Sequence, residues 1–470
     1  MPSRRAVMIS ALMASLVPAA RAQIPPAGTS AERSASRTIL RLQNTTIDVN
    51  GKAASVYAIR QPNGTAGIIT DVGKPFRVRV ENKISEPSLI HWHGLTPPWQ
   101  QDGVPGVSGP PIPPGGSAEY DFPLRFGGTF WMHSHQGLQE QQLMAAPLII
   151  RDQRDRPGQQ EIVIMLADFS FTPPQQIFEQ LKKPKPMASM GSSGGAAAAA
   201  APDLNDVKYD AFLANDRTLA DPEIVKVEPG APVLLRIINS SSMSAYHIDL
   251  GDLVGDLIAV DGFQVKPILG RYFPVAVAQR LDIRVTIPRD TGAHPVLAVL
   301  EGSRNRTGIV LAAGSARIPR IPEMAATPSA ALTLGLEGRL RAAKPLEVRK
   351  ADRVHTLNLT GDMAAYSWSI NGVVWNKDVP PLPIATGERV ELVLVNQTLM
   401  PHPMHLHGHE FQVVEIDGAR FSGAVRDTVL VPPGRRVVIA FDANNPGWWA
   451  FHCHLLYHLD AGMFTTLKYV

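Results

Sequence analysis

One pattern is written three times along this chain. Gly73–Asn82 (GKPFRVRVEN), Gly230–Asn239 (GAPVLLRIIN) and Gly387–Asn396 (GERVELVLVN) each join a glycine turn, an alternating β-branched run and a closing asparagine. The asparagines are separated by two equal intervals of 157 residues, 82 to 239 and 239 to 396. A period this long marks duplicated domains, not a solenoid of short units. Within each copy, short alternating runs are divided by turns such as Pro113-Pro114-Gly115 and Pro432-Pro433-Gly434, and long helical periodicity is scarce. The pattern predicts an all-β chain of three antiparallel β-sandwiches with Greek-key connections. The expected domains are 36–155, 160–318 and 350–470, with linkers at Arg151–Gln160 and about Ala316–Asp352. Lys182–Pro202, with six consecutive alanines, reads as a low-complexity loop inside the second copy.

The first 22 residues read differently. Ser3-Arg4-Arg5 precedes an apolar stretch from Ala6 to Pro18, and Ala20-Arg21-Ala22 has a small-x-small cleavage pattern. This predicts a signal peptide of twin-arginine type and export, with a bacterial periplasm as the destination. Its removal takes away three arginines and no acid, so the formal charge of +3 falls to zero. A neutral body gives no basis for binding nucleic acid. No apolar run in the body reaches the roughly 18–20 residues that span a bilayer.

The chain has fourteen histidines, and ten of them fall in four clusters: His91/His93, His133/His135, His402/His405/His407 and His452/His454/His458. The first pair and His405/His407 occupy equivalent places in the first and third copies. So do Gly128-Thr-Phe-Trp-Met-His133-Ser-His135 and Gly447-Trp-Trp-Ala-Phe-His452-Cys-His454. In a strand, residues i and i+2 project from one face about 6–7 Å apart. Each His-x-His pair can therefore serve neighbouring metal ions. Four pairs supply eight imidazoles, enough for a three-metal site between the end domains. The middle copy lacks both pairs and reads as a spacer or substrate-shaping module. His247, His294, His355 and His409 are read as ordinary polar histidines.

Imidazole alone does not name the metal. Cys453 does: it is the only cysteine, it lies between His452 and His454, and His458 and Met463 follow it. Thiolate, two imidazoles and an axial Met make a blue-copper electron-transfer site. In an exported protein a lone cysteine is a liability unless buried or metal-bound. Met187 and Met190 could offer soft sulfur to Cu(I), but in such a tract they are read as composition.

With these motifs in place, residues 36–470 resemble the three-domain multicopper oxidases, the group containing laccases and bacterial copper-efflux and copper-resistance oxidases. The motifs are His91-Trp-His93-Gly94, Trp131-Met-His133-Ser-His135, His402-Pro-Met-His405-Leu-His407, and His452-Cys-His454 with His458 and Met463. The resemblance implies cupredoxin-like domains and four coppers per chain. It implies a type 1 copper on His402, Cys453 and His458 with Met463 axial, and a type 2 copper on His91 and His405. His93, His133 and His454 would hold one type 3 copper, and His135, His407 and His452 the other. It further implies one-electron oxidation of a small donor, through the exposed edge of His458, coupled to four-electron reduction of O2 to water.

Asp102, in Gln101-Asp102-Gly103, matches an acid that the family places near the type 2 copper and is a candidate proton donor. Copper-efflux oxidases usually carry Glu directly after the last type 1 His. Here that place is Leu459, with Asp460 next as a second candidate. This ordering looks laccase-like, and a Met axial ligand suits easily oxidised phenols, aromatic amines or Cu(I). The leading expectation is a laccase-like oxidase. A cuprous oxidase serving copper tolerance is the first alternative, and a copper-sequestering protein is the alternative of another class.

Overall fold

The computed structural model describes residues 37–153, 155, 158–183 and 204–470. The expected leader and Met187 and Met190 lie outside the described residues. Each repeated strand becomes an inner strand of its sheet. Pro75–Asn82 lies between Thr38–Val49 and Ser117–Pro123. Pro232–Asn239 lies between Gln160–Phe169 and Arg280–Thr286, and Arg389–Asn396 between Arg353–Asp362 and Arg436–Asp442. The alternation explains the packing. Phe76, Val78 and Val80 are buried while Arg77 and Arg79 between them point outward. Each buried side chain of this kind contributes about 1.5–3 kcal/mol.

The closing asparagines share one task. Asn82 donates from Nδ2 to the carbonyls of Glu86 (2.9 Å) and Ile112 (2.8 Å) and accepts from the backbone N–H of Ile84. Asn239 donates to Ser244 O and accepts from Ser241 N–H; Asn396 donates to Met400 O and Val431 O and accepts from Thr398 N–H. All three are buried. An amide can donate and accept at once, which is why Asn recurs where each chain leaves one sheet for the other.

The described residues form six sheets, two for each copy. In the second sheet of the first copy, Ile90–His93 pairs with Gly128–Ser134. In the third copy His402–Leu406 pairs with Trp448–Cys453. Two sequence motifs far apart in each copy thus become neighbouring strands. The alternation predicts antiparallel pairing throughout, and the sheets depart from it. Every sheet holds one parallel pair, such as Thr38–Leu42 beside Val78–Asn82. Between those two strands the chain crosses to the other sheet and returns running the same way. The stretch 316–352 is no free linker: Leu332, Leu334 and Leu340 are buried, and Glu337 pairs with Arg426. Among the described residues, no helix is long and apolar enough to cross a membrane.

Candidate metal centre

Strand alternation builds the centre. Trp92 turns into the core of the first copy, edge-on to Phe76 at 5.1 Å, so His91 and His93 emerge together on the opposite face. Register places His91 opposite His133 and His405 opposite His452. The two faces meet: ring centroids are 3.8 Å apart for His91/His407 and for His93/His405, and 5.0 Å for His133/His454 and His135/His452. The glycine that ends each His-x-His-Gly motif is required by this crowding. Gly94 has φ +86°, and a Cβ there would meet Asp427 and Arg280 at 2.6–2.7 Å; Gly408 has φ +67° and lies against the Trp449 ring.

The nitrogens face common points. Nε2 of His91 and His405 are 3.4 Å apart, Nε2 of His407 and His452 2.9 Å, and Nε2 of His135 and His452 3.3 Å. His93 Nδ1, His133 Nε2 and His454 Nε2 are buried without a hydrogen-bond partner. Lone pairs aimed at one another and buried orphan nitrogens are costly unless a cation lies between them. Burial and mutual repulsion hold His93, His133, His135, His405, His407 and His454 below the usual imidazole range, and burial brings His452 down to about 4. Neutral imidazoles are what a metal needs.

A second cluster lies one residue away in sequence. Sγ of Cys453 is 3.6 Å from His402 Nδ1 and 3.9 Å from His458 Nδ1, and the two nitrogens are 3.2 Å apart. Cys453 donates its N–H to the Met463 carbonyl at 3.1 Å, and the Met463 side chain is fully buried in the same apolar cluster. Burial pushes the Cys453 thiol upward, so its thiolate forms only with a cation to meet it. A thiolate and two imidazoles gathered in one dry pocket fit copper.

Carboxylates orient the rings. Asp102 Oδ2 is 2.8 Å from His407 Nδ1, and its carbonyl accepts from His91 Nδ1. Asp427 Oδ1 is 3.0 Å from His93 Nε2, and its carbonyl accepts from His405 Nδ1 at 2.9 Å. Glu140 Oε2 is 2.8 Å from His133 Nδ1. Asp427 and Glu140 escaped the sequence reading. Glu140 had a faint signal, as the one acid in an otherwise uncharged glutamine run directly after the second motif. Asp460 is exposed at the end of the short helix Leu456–Asp460 and is not among the carboxylates that reach the rings. The helical turn carries it outward.

The middle copy is more than a spacer. Its Arg280 is fully buried, donates to both Asp427 oxygens and reaches the Thr129 carbonyl of the first copy at 3.2 Å. Asp206, from the segment after the low-complexity tract, lies 3.0 Å from His458 Nε2 and accepts from Tyr366 Oη at 2.7 Å. The expected exposed edge of His458 is therefore not found. The residue is fully buried, with Trp368 stacked on it at 4.0 Å and Asp206 over its outer nitrogen.

Three family models described as multicopper oxidase match residues 41–155, 160–314 and 349–470. Multicopper oxidase MmcO of Mycobacterium tuberculosis is 32% identical, over 97% of this chain and 91% of its own length. Copper resistance protein A of Escherichia coli is 27% identical, over 84% of this chain and 86% of its own. Among solved structures, Fet3p, a multicopper oxidase that functions in iron import, superposes with TM-score 0.77 at 20% identity, covering 92% of this chain and 90% of its own. The laccase of Botrytis aclada gives 0.76 at 23% identity, covering 92% and 87%. These likenesses carry the cupredoxin-like fold. The metal this centre is arranged for is copper, and the chain belongs to the multicopper oxidase family of oxidoreductases.

Proposed function

We propose that the chain oxidises a small reductant one electron at a time beside Cys453 and reduces O2 to water at the eight-histidine cluster. In this reading His402, Cys453, His458 and Met463 hold the type 1 copper and His91 and His405 the type 2. His93, His133 and His454 hold one type 3 copper, and His135, His407 and His452 the other. The grouping of ring nitrogens described above supports the assignment. When bound, the coppers supply single-electron acceptance at the thiolate and four-electron chemistry at the cluster. The chain does the rest. Cys453 is covalently joined to His452 and His454, one from each type 3 set, so the two sites share one stretch of backbone. Asp102 holds His91 and His407 and stands close enough to supply a proton. Asp460, at the surface, would need a further relay. A copper-sequestering protein would have no use for so direct a junction.

The donor best supported is Cu(I). The observation that carries this is Asp206, which presents a carboxylate at the outer nitrogen of His458. The cavity beside it, lined by Leu204, Met243 and Met400, holds only about 10 Å3, near the room for one water. That suits a metal ion better than an aromatic ring, and the relatives named for copper resistance point the same way. A laccase-like phenol or aromatic amine is the second reading, favoured by the Trp368 and Tyr366 rings packed over His458. Oxygen uptake with Cu(I) and with a phenol separates them. Asp206→Ala should lower kcat/KM for Cu(I) at least about tenfold more than for the phenol, and equal losses would sink the Cu(I) reading. Export by the residue 1–22 leader belongs to the same proposal.

A further inference from the structure

We infer that Glu140 is a positioning residue that joins His133 of the first copy to His454 of the third, turning both Nε2 atoms to one point. The inference rests on the copper assignment proposed above. Glu140 sits in the 3-10 turn Gln139–Gln142 that follows the Trp131–His135 motif. Its Oε2 is 2.8 Å from His133 Nδ1 and its Oε1 is 3.9 Å from His454 Nδ1. The side chain is buried, and Oε1 has no hydrogen-bond partner.

The turn is anchored on both sides of Glu140. Gln139 accepts from Ser88 Oγ and Ser134 Oγ, each at 2.7 Å, and donates to the Pro87 carbonyl. Gln141 accepts from Tyr209 Oη at 2.7 Å. With its neighbours tied down, the Glu140 carboxylate is aimed between the two rings instead of free to swing away. The other oriented rings depend on different groups: His91 and His407 on Asp102, His405 and His93 on Asp427, and His452 on the Cys453 carbonyl. His133 Nδ1 also faces the Ser134 carbonyl at 3.1 Å, as His452 faces that of Cys453, and Glu140 is the group that lies against both His133 and His454. A carboxylate at Nδ1 keeps the proton there and leaves the Nε2 lone pair for metal. Both of those Nε2 atoms are buried orphans. Because the two rings belong to different copies, their common neighbour sits across the seam between the half-sites, hydrogen-bonded to His133 and in close electrostatic contact with His454.

The test compares the full-length protein with E140Q, E140A and E140D, all loaded with Cu(II) under the same conditions. Copper per chain, the near-ultraviolet band of the coupled pair and the visible thiolate band are measured on each. E140Q, whose amide oxygen still accepts from His133 while its amino group turns toward His454, should keep the visible band and hold a pair band between those of the unmodified protein and E140A. E140A should keep the visible band and lose the pair band, with about 10- to 100-fold weaker copper affinity at that half-site. E140D, about 1.5 Å shorter in reach, should resemble E140A, and it gives the answer if E140A does not fold. A full pair band in E140A or E140D overturns the inference. Equal loss in E140Q and E140A also overturns it, because hydrogen-bonded positioning would then not be what matters. Absence of both bands from the unmodified protein would fell the copper assignment and this inference together.

Discussion

The Asp102 carboxylate lies 2.8 Å from Nδ1 of His407 in the third copy, while the carbonyl of the same residue accepts from His91 in the first. One residue thus fixes a ring from each end domain and leaves its carboxyl beside the cluster. Asparagine at this position keeps an oxygen acceptor for His407 and removes the acidic group. If Asp102 delivers protons, D102N should bind copper normally and lose about 10²-fold or more in turnover. Oxygen uptake at saturating reductant, normalised to copper content, checks this. Unchanged turnover with an unchanged pH profile would remove Asp102 from proton delivery.

Arg280 and Asp427 form a fully buried ion pair between the second and third copies. Removing one partner strands the other charge, so R280M should cost about 3–5 kcal/mol. The R280M/D427N double variant should recover much of that loss, because no bare carboxylate remains and the amide can still serve His93. Thermal unfolding of the four members of this cycle measures the coupling. A loss below about 1 kcal/mol in the single variant would mean that water or another cation already neutralises Asp427.

How much of this was legible in sequence follows from what each signal reports. Alternation in the Gly73–Asn82, Gly230–Asn239 and Gly387–Asn396 strands reports burial on one face, so the sandwiches could be read. It is blind to the direction of the neighbouring strand, and the parallel pair in each sheet was missed. The clustering of the paired histidines was legible because i, i+2 spacing survives as shared direction. Glu140, Asp427 and Arg280 reach the cluster from separate segments through tertiary packing, which no local spacing encodes. The covering of His458 was hidden for the same reason: Asp206 is 252 positions away in sequence.

Cys453 supplies the only sulfur of a thiolate type to either cluster, and its side chain faces His402 and His458 instead of the eight-ring cluster. C453S should therefore abolish the intense visible band while keeping the near-ultraviolet band of the histidine-bound pair. Turnover should fall to background, since the donor side loses its acceptor. Persistence of the visible band in copper-loaded C453S would sink the type 1 assignment.

Glu301, which lines the small cavity beside Asp206 and is not itself a proposed copper ligand, offers a pH-dependent test of stability. It is buried, its Oε1 accepts from the Leu332 backbone N–H at 2.5 Å, and burial lifts its carboxyl to about 7 against the opposing pull of that hydrogen bond. The folded value lies above the ordinary carboxyl value of 4.5. The folded state therefore holds the proton more tightly than the unfolded chain does. Its stabilising contribution is fully present below about pH 4.5 and is lost as pH rises through about 7, amounting to about 3 kcal/mol in all. E301Q cannot ionise and should lack this component. Melting the copper-loaded protein and E301Q at intervals from pH 5 to pH 8 isolates it, because copper binding responds to pH alike in both. The unmodified protein should lose stability relative to E301Q across that window, and parallel curves would show that Glu301 does not change its ionisation on folding.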